Sequence, residues 1–238
     1  MMNIKTMDAV ILCGGLGTRL RNSIGERQKV MAQIGKEPFL NILLRYLKEE
    51  GLRRVILCVG YQAQELEDYY KNKDFGLELL YSKETEPLGT GGAIQQAKSF
   101  IKSDVFLALN GDSYCAVSIA ELLKFHQTHK ALGTVVVSQV QEQGGFGQIV
   151  LDDNNRIVEF KEKEAASTTT GLVNAGVYIF DKRIFSFMPD KKKFSLEYDV
   201  FPQIIDQGLY GFSVGEEFID IGTPERYQQA KKILGKDG

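Results

Sequence analysis

Apolar and polar positions along the first half of the chain alternate between two periods. Asp8-Ala-Val-Ile-Leu-Cys13 is a short unbroken apolar run, the pattern of a strand buried on both faces. Pro38 then opens Phe39, Leu40, Leu43, Leu44 and Leu47, the spacing of one helix face, and Gly51 closes it. Residues 54–59 read as a second buried strand, followed by a polar helix over 62–70. A third strand over 77–81 precedes a helix over 92–100, and a fourth over 105–109 ends at Asn110-Gly111-Asp112. Strands and helices alternating at these lengths predict βαβ units and a mainly parallel sheet. From about residue 133 the pattern turns β-rich, with strands expected over 134–137, 148–150, 157–160 and 173–180. Helices return near 197–207 and 224–234. The expected fold is an open, mainly parallel, Rossmann-like α/β sheet flanked by helices, whose second half adds a smaller β-rich region. No repeat, low-complexity tract or linker divides it, so one domain over 1–238 is expected, with halves at about 1–132 and 133–238. Such sheets bind ligands at the carboxyl ends of their strands.

Composition removes several classes of function. With 29 basic and 31 acidic residues the net charge is −2, which argues against nucleic acid or an anionic membrane as a partner. Apolar and charged fractions of 43% and 25% match globular averages, so disorder and coiled coil are set aside. Three cysteines without ligand-like spacing and two histidines leave no disulfide framework and no His-rich metal centre. No apolar run reaches the roughly 20 residues of a membrane span, and the first is shorter than a signal-peptide core. The expected location is the reducing cytoplasm. Cys13 is expected to be a small core residue, and His126 and His129 to lie at the surface of a helix.

Gly14-Gly15-Leu16-Gly17-Thr18-Arg19-Leu20 follows the first strand directly. Clustered glycines let backbone N–H groups turn around an anion, and a following helix N-terminus adds its positive end. No Gly-Lys-Ser/Thr follows, so this is not a Walker A loop, and Leu20 occupies the third glycine position of a dinucleotide fingerprint. Arg19 and Lys29 add two cations, which suits a triphosphate whose leaving pyrophosphate needs its charge neutralised. An ordinary strand-to-helix turn with solvated basic residues is the competing reading.

The run from Leu12 to Leu20, followed by Gln28-Lys-Val-Met31, resembles the signature of the sugar-1-phosphate nucleotidylyltransferases. The resemblance continues in order through Pro87-Leu-Gly-Thr-Gly-Gly-Ala93, Asn110-Gly-Asp112, Phe160-Lys-Glu-Lys163, Asn174-Ala-Gly176, Ser195-Leu-Glu197 and Phe218-Ile-Asp-Ile-Gly-Thr-Pro224. Within the family the chain looks most like the bacterial guanylyltransferases acting on D-glycero-α-D-manno-heptose 1-phosphate, with mannose-1-phosphate guanylyltransferases next. The signature usually reads Pro-Lys-Pro-Met. Gln28 and Val30 replace both prolines, which predicts altered loop stiffness with the chemistry kept.

The resemblance implies transfer of GMP from GTP to a sugar 1-phosphate, giving a GDP-sugar for glycan synthesis and pyrophosphate, with Mg²⁺ as cofactor. Uridylyl or thymidylyl transfer to glucose 1-phosphate is the alternative chemistry, and a non-catalytic sensing homologue the alternative class. A glycosyltransferase would carry an Asp-x-Asp metal motif, whereas Asp112 has Asn110 two residues before it. The implied nucleotide site comprises Leu12, Gly14, Gly15, Gly17, Thr18, Arg19, Lys29, Glu84, Gly89, Thr90 and Gly111. The implied sugar-phosphate site comprises Gly147, Glu162, Lys163, Asn174 and Glu197. Arg19, Lys29, Asp112, Lys163 and Asp220 are the implied catalytic set, with Asp112 and Asp220 holding the metal. Each has a plainer alternative. Asp112 would be a turn residue, Asp220 a helix N-cap, Lys163 part of a solvated charge run, Asn174 a satisfied core amide and Glu197 a helix-start acid beside Ser195. Glu84 stands where uridylyl- and thymidylyltransferases of the family carry glutamine. A carboxylate there accepts from the adjacent N1–H and N2–H of guanine, although Glu84 could equally be one more surface acid beside Glu86. Oligomeric state is left unassigned.

Overall fold

The first apolar run becomes the middle of a sheet. The computed structural model describes residues 3–15, 17, 20–25, 27–140, 148–161, 171–215 and 218–235. Strand β1 (Asp8–Leu12) leads to a short α1 (Arg21–Ile24), the small hairpin β2 (Gln33–Ile34) and β3 (Glu37–Pro38), and helix α2 (Phe39–Glu49). There follow β4 (Arg54–Val59), α3 (Ala63–Tyr70), β5 (Glu78–Lys83), α4 (Gly89–Ala97), β6 (Val105–Asn110), β7 (Ser113–Tyr114) and α5 (Ile119–Thr128). The second half runs β8 (Gly133–Val140), β9 (Gln148–Leu151), β10 (Ile157–Lys161), β11 (Gly171–Asp181), α6 (Phe201–Ile204), β12 (Leu209–Val214), β13 (Ile219–Asp220) and α7 (Pro224–Leu234).

Nine of these strands form one sheet. β6, β1, β4 and β5 are parallel neighbours, and β11 joins β6 in the antiparallel sense. Alternate residues of β1 face opposite cores. Ala9 and Ile11 pack with the buried faces of α2, α5 and α7, and Val10 with those of α4 and α6. Helices therefore cover both faces of the parallel half, which is why its strands read as unbroken apolar runs. α2 buries Phe39, Leu40, Leu43, Leu44 and Leu47 completely, and Gly51 ends it with φ of 93°. Among the described residues, no helix is long and apolar enough to cross a membrane.

β11 changes neighbours halfway along. Leu172 and Val173 pair with β9, whereas Val177–Asp181 pair with β6. The changeover falls at Asn174-Ala175-Gly176, where the register against β8 also shifts and Gly176 takes φ of 73°. A Cβ on Gly176 would lie 2.9 Å from the Asn110 amide nitrogen, so glycine lets the end of β6 press against this bend.

Two expectations need correction. The helix predicted over 197–207 is broken into a π-helical turn (Leu196–Val200), α6 and a 3-10 turn (Ile205–Gln207), with Pro202 in the first turn of α6, where its missing N–H is tolerated. His126 is not at the surface. It follows Ile119, Leu122 and Leu123 on the inward stripe of α5, is 2% exposed, and its Nδ1 lies 2.9 Å from Thr134 Oγ1.

Candidate active site

The carboxyl ends of β1, β5 and β6 open into a cleft of about 390 Å³, lined among others by Leu12, Gly14, Gly15, Lys29, Glu84, Asn110 and Asp112. The strand ends are brought together tightly. Gly111 N donates to Leu12 O at 3.0 Å, and a Cβ on Gly111 would lie 2.5 Å from that oxygen. Gly17 takes φ of 58°, over the turn that carries Lys29. Cys13 is buried beside the loop, and burial together with the charges of Glu84 and Asp112 pushes its thiol far up, so no thiolate nucleophile is available.

Lys29 opens a 3-10 turn (Lys29–Met31) and reaches into the cleft, where its Nζ donates to Asp112 Oδ2 at 2.7 Å. Gln28, which replaces the first signature proline, is 3% exposed and donates through Nε2 to the Tyr61 carbonyl. A side-chain tether thus holds the turn where the signature has a ring. β7, directly after Asp112, pairs with β13 so that Asp220 stands opposite Ser113, and Ile221 N donates to Asp112 O at 2.9 Å. The backbones at two acidic residues distant in sequence are thereby joined at one edge. Asp220 Oδ1 accepts from Gly222 N and from Arg226 Nη1, each at 3.0 Å, and the N-cap of α7 is Thr223, not Asp220. Among the described residues no three His, Cys, Asp or Glu side chains enclose a metal. Two hard oxygen donors fit a magnesium-type ion that draws its other ligands from water and phosphate.

Glu84 lies half-buried at the end of β5. Its Oε2 accepts from Leu88 N at 3.1 Å, and a Cβ on Gly14 would lie 2.6 Å from its Oε1. Burial pushes its carboxyl above the usual range, and the Leu88 bond opposes this. Glu86 points outward and pairs with Lys192 at 3.3 Å. Behind Glu84, α4 begins at Gly89, three residues before the predicted start. The chain from 192 to 196 crosses its first turn. A Cβ on Gly89 would lie 2.5 Å from Phe194 O, one on Gly91 2.4 Å from the Phe194 ring, and one on Gly92 2.4 Å from Lys192 O. This crossing delivers Lys193 to the cleft. Sequence reasoning missed Lys193, since a run of three lysines reads as a solvated face, and it treated Asn110 only as part of a turn.

On the second half, Asn174 Nδ2 donates to Tyr178 Oη at 2.8 Å, and Asn174 Oδ1 accepts from Gly176 N at 2.9 Å. The amide is therefore satisfied within the fold. Glu197 follows Ser195, which caps the π-helical turn, and its charge adds to burial in raising the Tyr178 hydroxyl. Glu197 Oε2 accepts from Thr90 Oγ1 at 2.8 Å, so Asn174 and Glu197 bond to different partners. Thr18, Arg19, Gly147, Glu162 and Lys163 lie outside the described residues.

A nucleotidyl transferase family model matches residues 8–237. The chain is 38% identical over 229 residues to the D-glycero-alpha-D-manno-heptose 1-phosphate guanylyltransferase of Aneurinibacillus thermoaerophilus, covering 96% of this chain and 98% of that one. It is 37% identical over 224 residues to the mannose-1-phosphate guanylyltransferase catalytic subunit beta of Drosophila melanogaster, covering 92% of this chain and 60% of that one. The crystal structure of HddC from Yersinia pseudotuberculosis complexed with GMP-PN superposes with a TM-score of 0.85 at 33% identity, over 96% of this chain and 99% of that one.

Proposed function

The chain belongs to the nucleotidyl transferase family, and from that premise we propose that it transfers GMP from GTP to D-glycero-α-D-manno-heptose 1-phosphate in the cytoplasm, giving GDP-heptose for glycan synthesis. The observation that carries the reading is one cleft lined by both the Lys29–Asp112 pair and the half-buried Glu84, with Asp220 brought beside Asp112 by the pairing of β13 with β7. The guanylyltransferase relative at 38% identity supports the base and the sugar. In the reaction, an oxygen of the sugar phosphate forms a bond to the α-phosphorus of GTP, the bond to the β-phosphate oxygen breaks, and pyrophosphate leaves with that electron pair. No bond to the anomeric carbon breaks, so its configuration is kept. The nucleophile is already an anion and needs no strong base. The demand on the protein is alignment and neutralisation of two polyanions.

Gly14, Gly15, Gly17, Thr18 and Arg19 hold the triphosphate in this reading, with Leu12 and Gly111 along the nucleoside. Lys29 neutralises charge at the transferring phosphate, and Glu84 accepts from guanine N1–H and N2–H. Mg²⁺ bound by Asp112 and Asp220 would screen the phosphate oxygens. Lys163, with Glu162 beside it, and Lys193 meet the sugar phosphate, and Gly147, Asn174 and Glu197 the sugar. Residues 1–132 thus serve mainly the nucleotide and 133–238 the sugar phosphate.

Mannose 1-phosphate as the acceptor is the second reading, favoured by the relative at 37% identity. The test is pyrophosphate release with Mg²⁺, crossing GTP, ATP, UTP, CTP and dTTP with heptose, mannose and glucose 1-phosphates. Turnover confined to GTP with the heptose 1-phosphate is the expected result. Preference for mannose 1-phosphate overturns the sugar, preference for UTP or dTTP overturns the role of Glu84, and binding without turnover in any combination overturns the enzyme reading.

A further inference from the structure

Gly89-Thr90-Gly91-Gly92 has the composition of a phosphate loop, yet the Gly91 and Gly92 N–H groups and the Thr90 hydroxyl are committed elsewhere. Gly91 N and Gly92 N both donate to Phe194 O, at 3.1 and 3.2 Å, so these first-turn donors of α4 are taken by the crossing chain. Thr90 is committed in the same way. A hydroxyl has one proton and two lone pairs. The Thr90 proton goes to Glu197 Oε2 at 2.8 Å, and one lone pair receives Leu196 N at 2.9 Å. Ser195 Oγ donates to the same Glu197 oxygen at 2.5 Å. Thr90 thus has no proton left to donate to a phosphate or ribose oxygen.

We propose that Thr90 is a positioning residue for the sugar contact made by Glu197, and not a ligand of the nucleotide. The inference rests on the reading of Glu197 as a sugar contact. Two hydroxyl donors fixed on Oε2 lock the carboxylate in one orientation and leave Oε1 to accept from the substrate's hydroxyls. Thr90 also stands one residue after Gly89, on the cleft wall, so the latch ties the two substrate regions into one rigid unit.

The experiment compares Thr90→Val, which keeps the shape and removes the hydroxyl, with Thr90→Ser and Glu197→Gln. It measures KM and kcat for the sugar 1-phosphate, and the Kd for GTP by calorimetry without sugar. Thr90→Val is expected to raise the sugar-phosphate KM roughly tenfold, equivalent to about 1.4 kcal/mol, with the GTP Kd unchanged. Thr90→Ser restores the wild-type KM. Weaker GTP binding with an unchanged sugar KM overturns the proposal, as does no change in either. Glu197→Gln separates two failures. If it leaves the sugar KM unaltered, the reading of Glu197 fails. If it raises the KM and Thr90→Val does not, only the latch fails. Should Thr90→Val not fold, Ser195→Ala, which removes the other donor to Oε2, is read by the same criteria.

Discussion

Replacing Glu84 by glutamine sets two effects of opposite sign against each other. In the free protein the carboxylate is half-buried over Gly14, and burial raises its pKa despite the bond from Leu88 N at 3.1 Å. When the folded pKa lies above the unfolded one, the stability a group contributes is present at low pH and lost as pH rises through the folded value. Glu84 therefore opposes folding at neutral pH, and Glu84→Gln is expected to melt higher at pH 7.5, with a gain that shrinks in acid. Guanine binding responds in the other direction. Its two adjacent N–H donors meet a carboxylate as two acceptors, whereas glutamine turns an NH₂ toward one of them. A hydrogen bond to a charged group contributes about 1.5–3 kcal/mol, so kcat/KM for GTP is expected to fall roughly 10- to 150-fold, with UTP gaining relative to it. Pyrophosphate-release kinetics with GTP and UTP, beside thermal melts at pH 7.5 and 5, read both effects. A higher melting temperature with GTP selectivity intact would refute the role of Glu84 in base choice. A lower one at pH 7.5 would refute the burial argument.

Outcomes for four further variants follow from the geometry. Burial on α5 pushes the His126 imidazole down to about 4, with the nearby Asp181 charge opposing and that of Arg183 reinforcing the shift. The unfolded chain takes up this proton as pH falls through about 6.5 and the folded chain does not, so about 2 kcal/mol of stability is lost between pH 7.5 and 5. Urea midpoints at the two pH values should show this slope in the wild type and a shallower one in His126→Gln; equal slopes would contradict it. Gly89→Ala meets both a φ of 74° and the Phe194 carbonyl, and is expected to destabilise by about 2 kcal/mol, or roughly 4–8 °C in Tm, while raising the sugar-phosphate KM. A Cβ on Gly15 would touch nothing within 4 Å, so Gly15→Ala should leave Tm unaltered and weaken GTP binding; the opposite pattern in either variant would reverse the assignment of these glycines. Lys29→Met should lower kcat about 10²–10³-fold with a smaller change in GTP Kd, measured by single-turnover pyrophosphate release.

The parallel half of the sheet was legible because its strands are buried on both faces and so appear as unbroken apolar runs. Residues 54–59 were predicted with the bounds that β4 takes. α2 was legible for a related reason, its five completely buried apolar residues sharing one stripe between Pro38 and Gly51. The strands that join Asp112 to Asp220 were not legible. β7 and β13 are two residues each, too short for any period, and their pairing depends on chain segments distant in sequence. The position of His126 could have been read, since it continues the inward spacing of Ile119, Leu122 and Leu123. Polarity alone hid it.

The two glycine-rich segments share a composition and differ in what presses on them. Both follow parallel strands, and both contain three glycines in four positions. After β1, Gly15 is exposed on the cleft with open space where a side chain would stand. After β5, each glycine of Gly89-Thr90-Gly91-Gly92 is pressed by the backbone or ring of residues 192–194, and two of the N–H groups are bonded there. A glycine in a sequence says that something must come close. At Gly14 that partner is Glu84 and along Gly89-Thr90-Gly91-Gly92 it is residues 192–194, whereas at Gly15 no group of the described chain comes close. The same crossing brings Lys193 to the cleft and Ser195 and Glu197 within reach of Thr90. Packing at α4 is thus the physical means by which the second half of the chain reaches the site built by the first.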